Sequence, residues 1–328
     1  MKLGFHTHSP SKMFYSAGFI TSILPLIAAR VIEDTSLAGR TTYPFNNLVA
    51  YGDELSDNGN GSFAHGITGD PANVYGFGTW TNGPVAVSYL SDLLQVPLTD
   101  YAFGGCCGGG DFGATFDNIY TKSKAGATDM IGQVANYTDR GAPGIRSSLQ
   151  FLWFGENDLS MHTDAFWLGD PKNAQFATDA AAKITTQVKN LIDKGAPYVM
   201  VANIYPKHLA PVTPKYLCGT SADCIKTWGQ VIQQANSAIQ KSLGQFGNKV
   251  IYYDVFSFML QILANPKAYG FPKPLNLFCD GDETAQWTDC MIDGHANEYF
   301  WMNFIQPTTA GHKLIAQDMK KTIDAHFA

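Results

Sequence analysis

An α/β fold, with a mostly parallel sheet and helices on both its faces, is predicted by three features of the chain. Short apolar runs alternate with longer amphipathic stretches. The long stretches repeat apolar residues every three to four positions, as in Ile184, Val188, Leu191 and Ile192. Of the 328 residues, 45% are apolar, enough to cover a sheet on two sides. The five expected strands, in order, are Leu-Val-Ala-Tyr at 48–51, Asp-Tyr-Ala-Phe at 100–103, Leu-Gln-Phe-Leu-Trp-Phe at 149–154, Tyr-Val-Met-Val-Ala at 198–202 and Val-Ile-Tyr-Tyr at 250–253. Helices are expected over 84–94, 129–137, 174–194, 222–246 and 309–326. In such a sheet ligands bind beyond the carboxyl ends of the strands.

Twenty-two basic against twenty-eight acidic residues leave a formal charge of −6, so there is no basic footprint for nucleic acid. The abundance of Leu, Ile, Val and Phe excludes a disordered chain. Residues 1–30 read as an export signal, because Lys2 and Lys12 precede an apolar run that is broken by Pro25 and ends near Ala28-Ala29. Residues 31–42 are a polar linker, and 43–328 form one domain with no later segment able to span a bilayer. Secretion suits the six cysteines. Cys218 with Cys224, and Cys279 with Cys290, bracket short polar loops and are expected to form local disulfides. The adjacent Cys106 and Cys107 are either free and buried or joined in a vicinal bridge. Asn60 and Asn136 open glycosylation sequons. No metal site is indicated, since no CxxC meets a second CxxC or a spaced His pair.

Four motifs then follow in order. Tyr51-Gly52-Asp53-Glu54-Leu55-Ser56-Asp57-Asn58-Gly59-Asn60 follows the first strand, and Tyr101-Ala102-Phe103-Gly104-Gly105 ends the second. Gly155-Glu156-Asn157-Asp158 follows the third, and Tyr299-Phe300-Trp301-Met302-Asn303-Phe304-Ile305-Gln306-Pro307-Thr308 precedes the last helix. This ordered set resembles the blocks of the GDSL, or SGNH, hydrolases. The resemblance implies a flavodoxin-like three-layer sandwich with a five-stranded sheet. The Asp-Asn-Gly-Asn-Gly run looks most like fungal secreted members, such as acetylesterases.

By that resemblance the nucleophilic serine aligns with Glu54, the triad aspartate with Asn303 and the histidine with Gln306. A serine hydrolase needs a hydroxyl, an imidazole that takes its proton and a carboxylate that orients the imidazolium. Gln does not take a proton near neutral pH, and Asn carries no charge. The serine mechanism is therefore expected to be absent. The resemblance keeps Gly105 and Asn157 as oxyanion-hole donors, with Glu54 projecting beside them. Glu54 either fills the hole or, desolvated by Phe103 and Trp153, acts as acid or base. Trp153 and Trp301 are candidate ligand-lining rings within an aromatic cluster that includes Phe154, Phe166, Trp167 and Phe300. Ser56 is read as the cap of a following helix, Asp53 as holding the first turn, and Asp158 as a brace. His312, Asp293 and His295 are the available substitutes for the missing base.

Two functional readings stand level: a secreted, monomeric, cofactor-free protein whose pocket binds a glycan, lipid or small natural product, or a non-hydrolytic enzyme using Glu54 for proton transfer. Residual ester hydrolysis through Ser56 and His312 is the lesser one.

Overall fold

The computed structural model describes residues 43–59, 78–104, 113–123, 126–162, 170–279 and 295–328. Five parallel strands form one sheet in the order β2-β1-β3-β4-β5: β1 Asn47–Gly52, β2 Leu98–Asp100, β3 Ser148–Trp153, β4 Tyr198–Ala202 and β5 Val250–Tyr253. This is the flavodoxin-type order, with its switch point between β1 and β3. The expected signal and linker, residues 1–42, lie outside the described residues, as do Gly105, Cys106, Cys107, Cys290, Asn60, Phe166, Trp167 and Asp293.

Strand alternation decides what covers each face. Val49, Tyr51, Leu152, Val199 and Val201 pack under α3 (Met130–Thr138), α5 (Pro171–Asp193) and α6 (Ala222–Leu243). Leu48, Ala50, Leu149, Phe151, Trp153, Met200 and Ala202 face α1 (Ala86–Leu94), α7 (Val255–Ala264) and α8 (Thr309–Phe327). Two short helices, α2 (Asn118–Thr121) and α4 (Glu156–His162), flank the carboxyl edge. The period of two splits each strand between the layers, so both faces are apolar and the sheet is buried. Its one internal polar rung is satisfied, with Tyr51 Oη donating to Gln150 Oε1 at 2.8 Å and Gln150 Nε2 donating to Ser148 Oγ at 2.6 Å.

Local chemistry sets the helix limits. Asp170 caps α5 by accepting from the Lys172 amide, with Pro171 in the first turn. Ser221 caps α6 and Thr308 caps α8. The helix expected over 222–246 stops at Leu243 and continues as a 3₁₀ stretch, Gly244–Lys249, which breaks at Gly247 with φ 55°. Strand β2 lies earlier than the expected 100–103, yet Tyr101 N and Phe103 N still donate to Ala50 O and Gly52 O of β1. Cys218 and Cys224 are disulfide-bonded, and Cys279 is also in a disulfide. Among the described residues no helix is long and apolar enough to cross a membrane, and no His/Cys/Asp/Glu group is arranged to hold a metal ion.

Candidate functional site

The carboxyl ends of β1, β3 and β4 converge on one polar cluster. Beyond β1 the chain turns at Asp53 to Ser56, and the Asp53 carboxylate accepts from the Leu55 amide at 3.0 Å, as expected of a residue holding that turn. No helix begins in the described residues that follow, 57–59, and the Ser56 hydroxyl caps nothing there: it is buried and unpartnered. Beyond β3, Gly155 turns the chain into α4 at φ 117°, and a Cβ there would stand 2.7 Å from Ile204 Cγ1. That turn presents Glu156, Asn157 and Asp158 in the first turn of α4, all fully buried. Beyond β4, Lys207 enters the cluster and is equally buried.

Glu54 and Asn157 meet directly. Asn157 Nδ2 donates to Glu54 Oε2 at 2.8 Å, and Glu54 is 1% exposed. Asn157 Oδ1 and Glu54 Oε1 have no heavy-atom donor. Glu156 pairs with Lys207, whose ammonium also donates to Ser160 Oγ at 2.6 Å and to the Glu156 carbonyl at 3.3 Å. Asp158 braces a neighbouring segment by accepting from the Phe116 amide at 2.9 Å.

Electrostatics separates these acids. Burial, then the charges of Asp53 and Glu156, hold the Glu54 carboxyl well above the ordinary range, against the opposing bond from Asn157. Asp53 is pushed well up by burial and then by Glu156. Asp158 is raised by burial, against the Phe116 amide. Burial alone would raise Glu156, but the Lys207 charge and hydrogen bonds from Glu54 and Lys207 outweigh it and bring Glu156 below the usual carboxylate range.

The remaining expected site residues fall as follows. Asn303 organises a turn: its Oδ1 accepts from Ile305 N at 3.0 Å and Gln306 N at 2.8 Å, while its Nδ2 donates to Trp80 O at 3.1 Å. Gln306 is 1% exposed with both side-chain polar atoms unpartnered. Trp153 and Trp301 sit in the core on the α1/α8 face of the sheet, so their rings pack and do not face an open cleft. His312 is buried with Nδ1 accepting from Ala86 N at 3.3 Å, and burial lowers its pKa to about 3. His295 is exposed and pairs with Glu298 at 2.9 Å. Asn136 is exposed on α3. Glu156 and Lys207 were missed from sequence. The only available signal was a lysine in the short Ile-Tyr-Pro-Lys-His-Leu stretch shortly after β4.

Residues 48–319 match the family described as GDSL-like Lipase/Acylhydrolase. The GDSL esterase/lipase EXL4 of Arabidopsis thaliana is 22% identical, with 93% of this chain and 97% of that protein covered. The thermolabile hemolysin of Vibrio parahaemolyticus is 23% identical over 84% of this chain and 63% of its own length. Among solved structures, an extracellular lipase from Streptomyces rimosus aligns with TM-score 0.45 and 14% identity, covering 84% of this chain and 99% of that one.

Proposed function

Because the chain belongs to the GDSL-like lipase/acylhydrolase family, we propose that it is a member that has given up serine-dependent ester hydrolysis and uses the scaffold to bind a small-molecule, glycan or lipid ligand. One observation carries this reading: the Asn157 amide, the expected hole donor, is already bonded to the buried Glu54 carboxyl at 2.8 Å. A donor spent on the protein's own acid is not free for a developing oxyanion. A neutral carboxylic acid at the nucleophile position is a poor nucleophile, and Gln306 supplies no base. His312 does not replace it, since its Nδ1 is committed to the α1 backbone. Export through residues 1–30 and the narrower likeness to fungal secreted members belong to the same proposal. The Cys218–Cys224 disulfide supports an oxidising destination.

The test pairs a chromogenic acetyl ester and a serine-reactive phosphonate with calorimetric binding of a panel of oligosaccharides and lipids. Binding with neither turnover nor labelling is expected. Turnover proportional to protein, or a phosphonyl adduct on any hydroxyl, ends the reading.

A second reading is favoured by the upward displacement of the buried Glu54 carboxyl: proton-transfer chemistry such as isomerisation, dehydration or cyclisation. Glu54→Gln separates the two. Under this reading turnover of the bound compound disappears with the fold intact, whereas under the binding reading only affinity changes.

A further inference from the structure

Four acids, Asp53, Glu54, Glu156 and Asp158, are buried together with Lys207, the one buried lysine among the described residues. The Lys207 ammonium spends its hydrogens on Glu156 Oε2, the Glu156 carbonyl and Ser160 Oγ. The buried carboxyls of Glu54 and Glu156 lie within reach of one another, each acting on the other's charge. Yet Oε1 of each finds no N–H or hydroxyl donor. Two ionised carboxylates present acceptors only, so this contact closes only if one of the two oxygens carries a hydrogen.

We infer that Glu54, Glu156 and Lys207 form a proton-sharing chain: Glu54 Oε1 carries the hydrogen, Glu156 Oε1 accepts it, and Lys207 is the counter-charge that keeps Glu156 ionised. The asymmetry of the surroundings assigns the proton. Glu156 Oε2 faces the ammonium, which favours the anion there. Glu54 Oε2 accepts instead from the neutral Asn157 amide. The opposite displacement of the two carboxyls, Glu54 up and Glu156 down, agrees. The other groups facing the pair do not compete for the charge. Burial displaces Asp53 and Asp158 well upward, toward the neutral form, and Tyr205 is held well above its ordinary range by burial and the nearby acids. One cation thus balances one anion.

This deepens, and rests on, the reading of Glu54 as the acid that fills the pocket. Glu156 and Lys207 are positioning residues, and Glu54 is the group a ligand would meet.

The chain contains five glutamates, at 33, 54, 156, 283 and 298, so selective ¹³C labelling of their carboxyl carbons gives a readable spectrum of the full-length protein. Titrated between about pH 4 and pH 8, one resonance, absent in Glu54→Gln, is expected to stay protonated through neutrality. A second, absent in Glu156→Gln, is expected to stay ionised to the acid end. In Lys207→Met the Glu156 resonance is expected to move to the protonated position at neutral pH, a change that loss of packing alone does not produce. If Lys207→Met does not fold, the parent titration decides: Glu54 and Glu156 both titrating in the ordinary range overturns the proposal, as does a folded Lys207→Met with Glu156 unmoved. Ester turnover alongside the expected shifts would sink the function proposed above and leave the chain standing. Ordinary titration without turnover would do the converse.

Discussion

Glu54 Oε2 lies 1.8 Å from where a Cβ on residue 113 would stand, so the acid rests against the bare backbone of Gly113. Gly113 is bridged to Gly104. Gly113→Ala is therefore expected to destabilise the parent by about 1–3 kcal/mol through overpacking. It should cost at least about 1 kcal/mol less in a Glu54→Ala background, the coupling expected of residues in direct contact. Urea denaturation of the four variants gives the cycle. Additive effects would place Glu54 elsewhere.

Restoring a hydroxyl alone should accomplish little. Glu54→Ser is expected to hydrolyse a chromogenic acetyl ester no faster than the parent, because Gln306 takes no proton and His312 is held against Ala86. Adding Asn303→Asp and Gln306→His is expected to raise the rate by about 10²-fold or more, the ordinary worth of a positioned base. A single variant as active as the triple would show that a base is already present.

Stability should respond to pH through Glu54. Below the ordinary glutamate value of 4.5 both folded and unfolded chains hold the proton, and nothing is contributed. As pH rises beyond that value the unfolded carboxyl ionises while the folded one, displaced upward, does not. Stability therefore falls by about 1.4 kcal/mol per pH unit until the folded group also titrates. Glu54→Gln lacks this loss, so its stability relative to the parent should climb from pH 5 to pH 8 in denaturant titrations. A constant difference would mean that Glu54 is ionised in the folded protein.

His312 acts in the opposite direction. Burial lowers its folded pKa to about 3, below the ordinary histidine value of 6.5. Its contribution is therefore complete above 6.5 and is lost as pH falls toward 3, by about 1.4 kcal/mol per unit. The imidazole resonances of His312 should remain those of the neutral ring at pH 5. His312→Gln should flatten the acid limb of the stability curve. An imidazole that titrates near 6.5 would contradict the burial.

Much of the scaffold was legible because it depends on local periodicity. The strands 198–202 and 250–253 are found where their apolar runs place them, and Asp129, Asp170 and Ser221 cap their helices with side chains suited to the task. Helix α7 was not foreseen: Val-Phe-Ser-Phe-Met-Leu-Gln-Ile-Leu-Ala is apolar nearly throughout, and a short run of that kind shows no helical period. The contact of Glu54 with Asn157 was legible as one of two outcomes. The sign of the Glu54 displacement was not, because it depends on burial and on Glu156 and Asp53. Glu156 occupies the variable position of its motif, and Lys207 lies fifty-one residues further on. Nothing local links them. The roles expected of Trp153 and Trp301 differ from what folding makes of them, because an aromatic run does not say which rings the core absorbs.

The engagement of Lys207 has a practical consequence. A buried amine whose hydrogens all bond internally is out of a reagent's reach, so reductive methylation should pass it by while the exposed Lys189 and Lys321 react. The slow appearance of a tag at position 207 would then time the rare breathing of the cleft, giving this fold an internal clock for how often its sealed interior meets water.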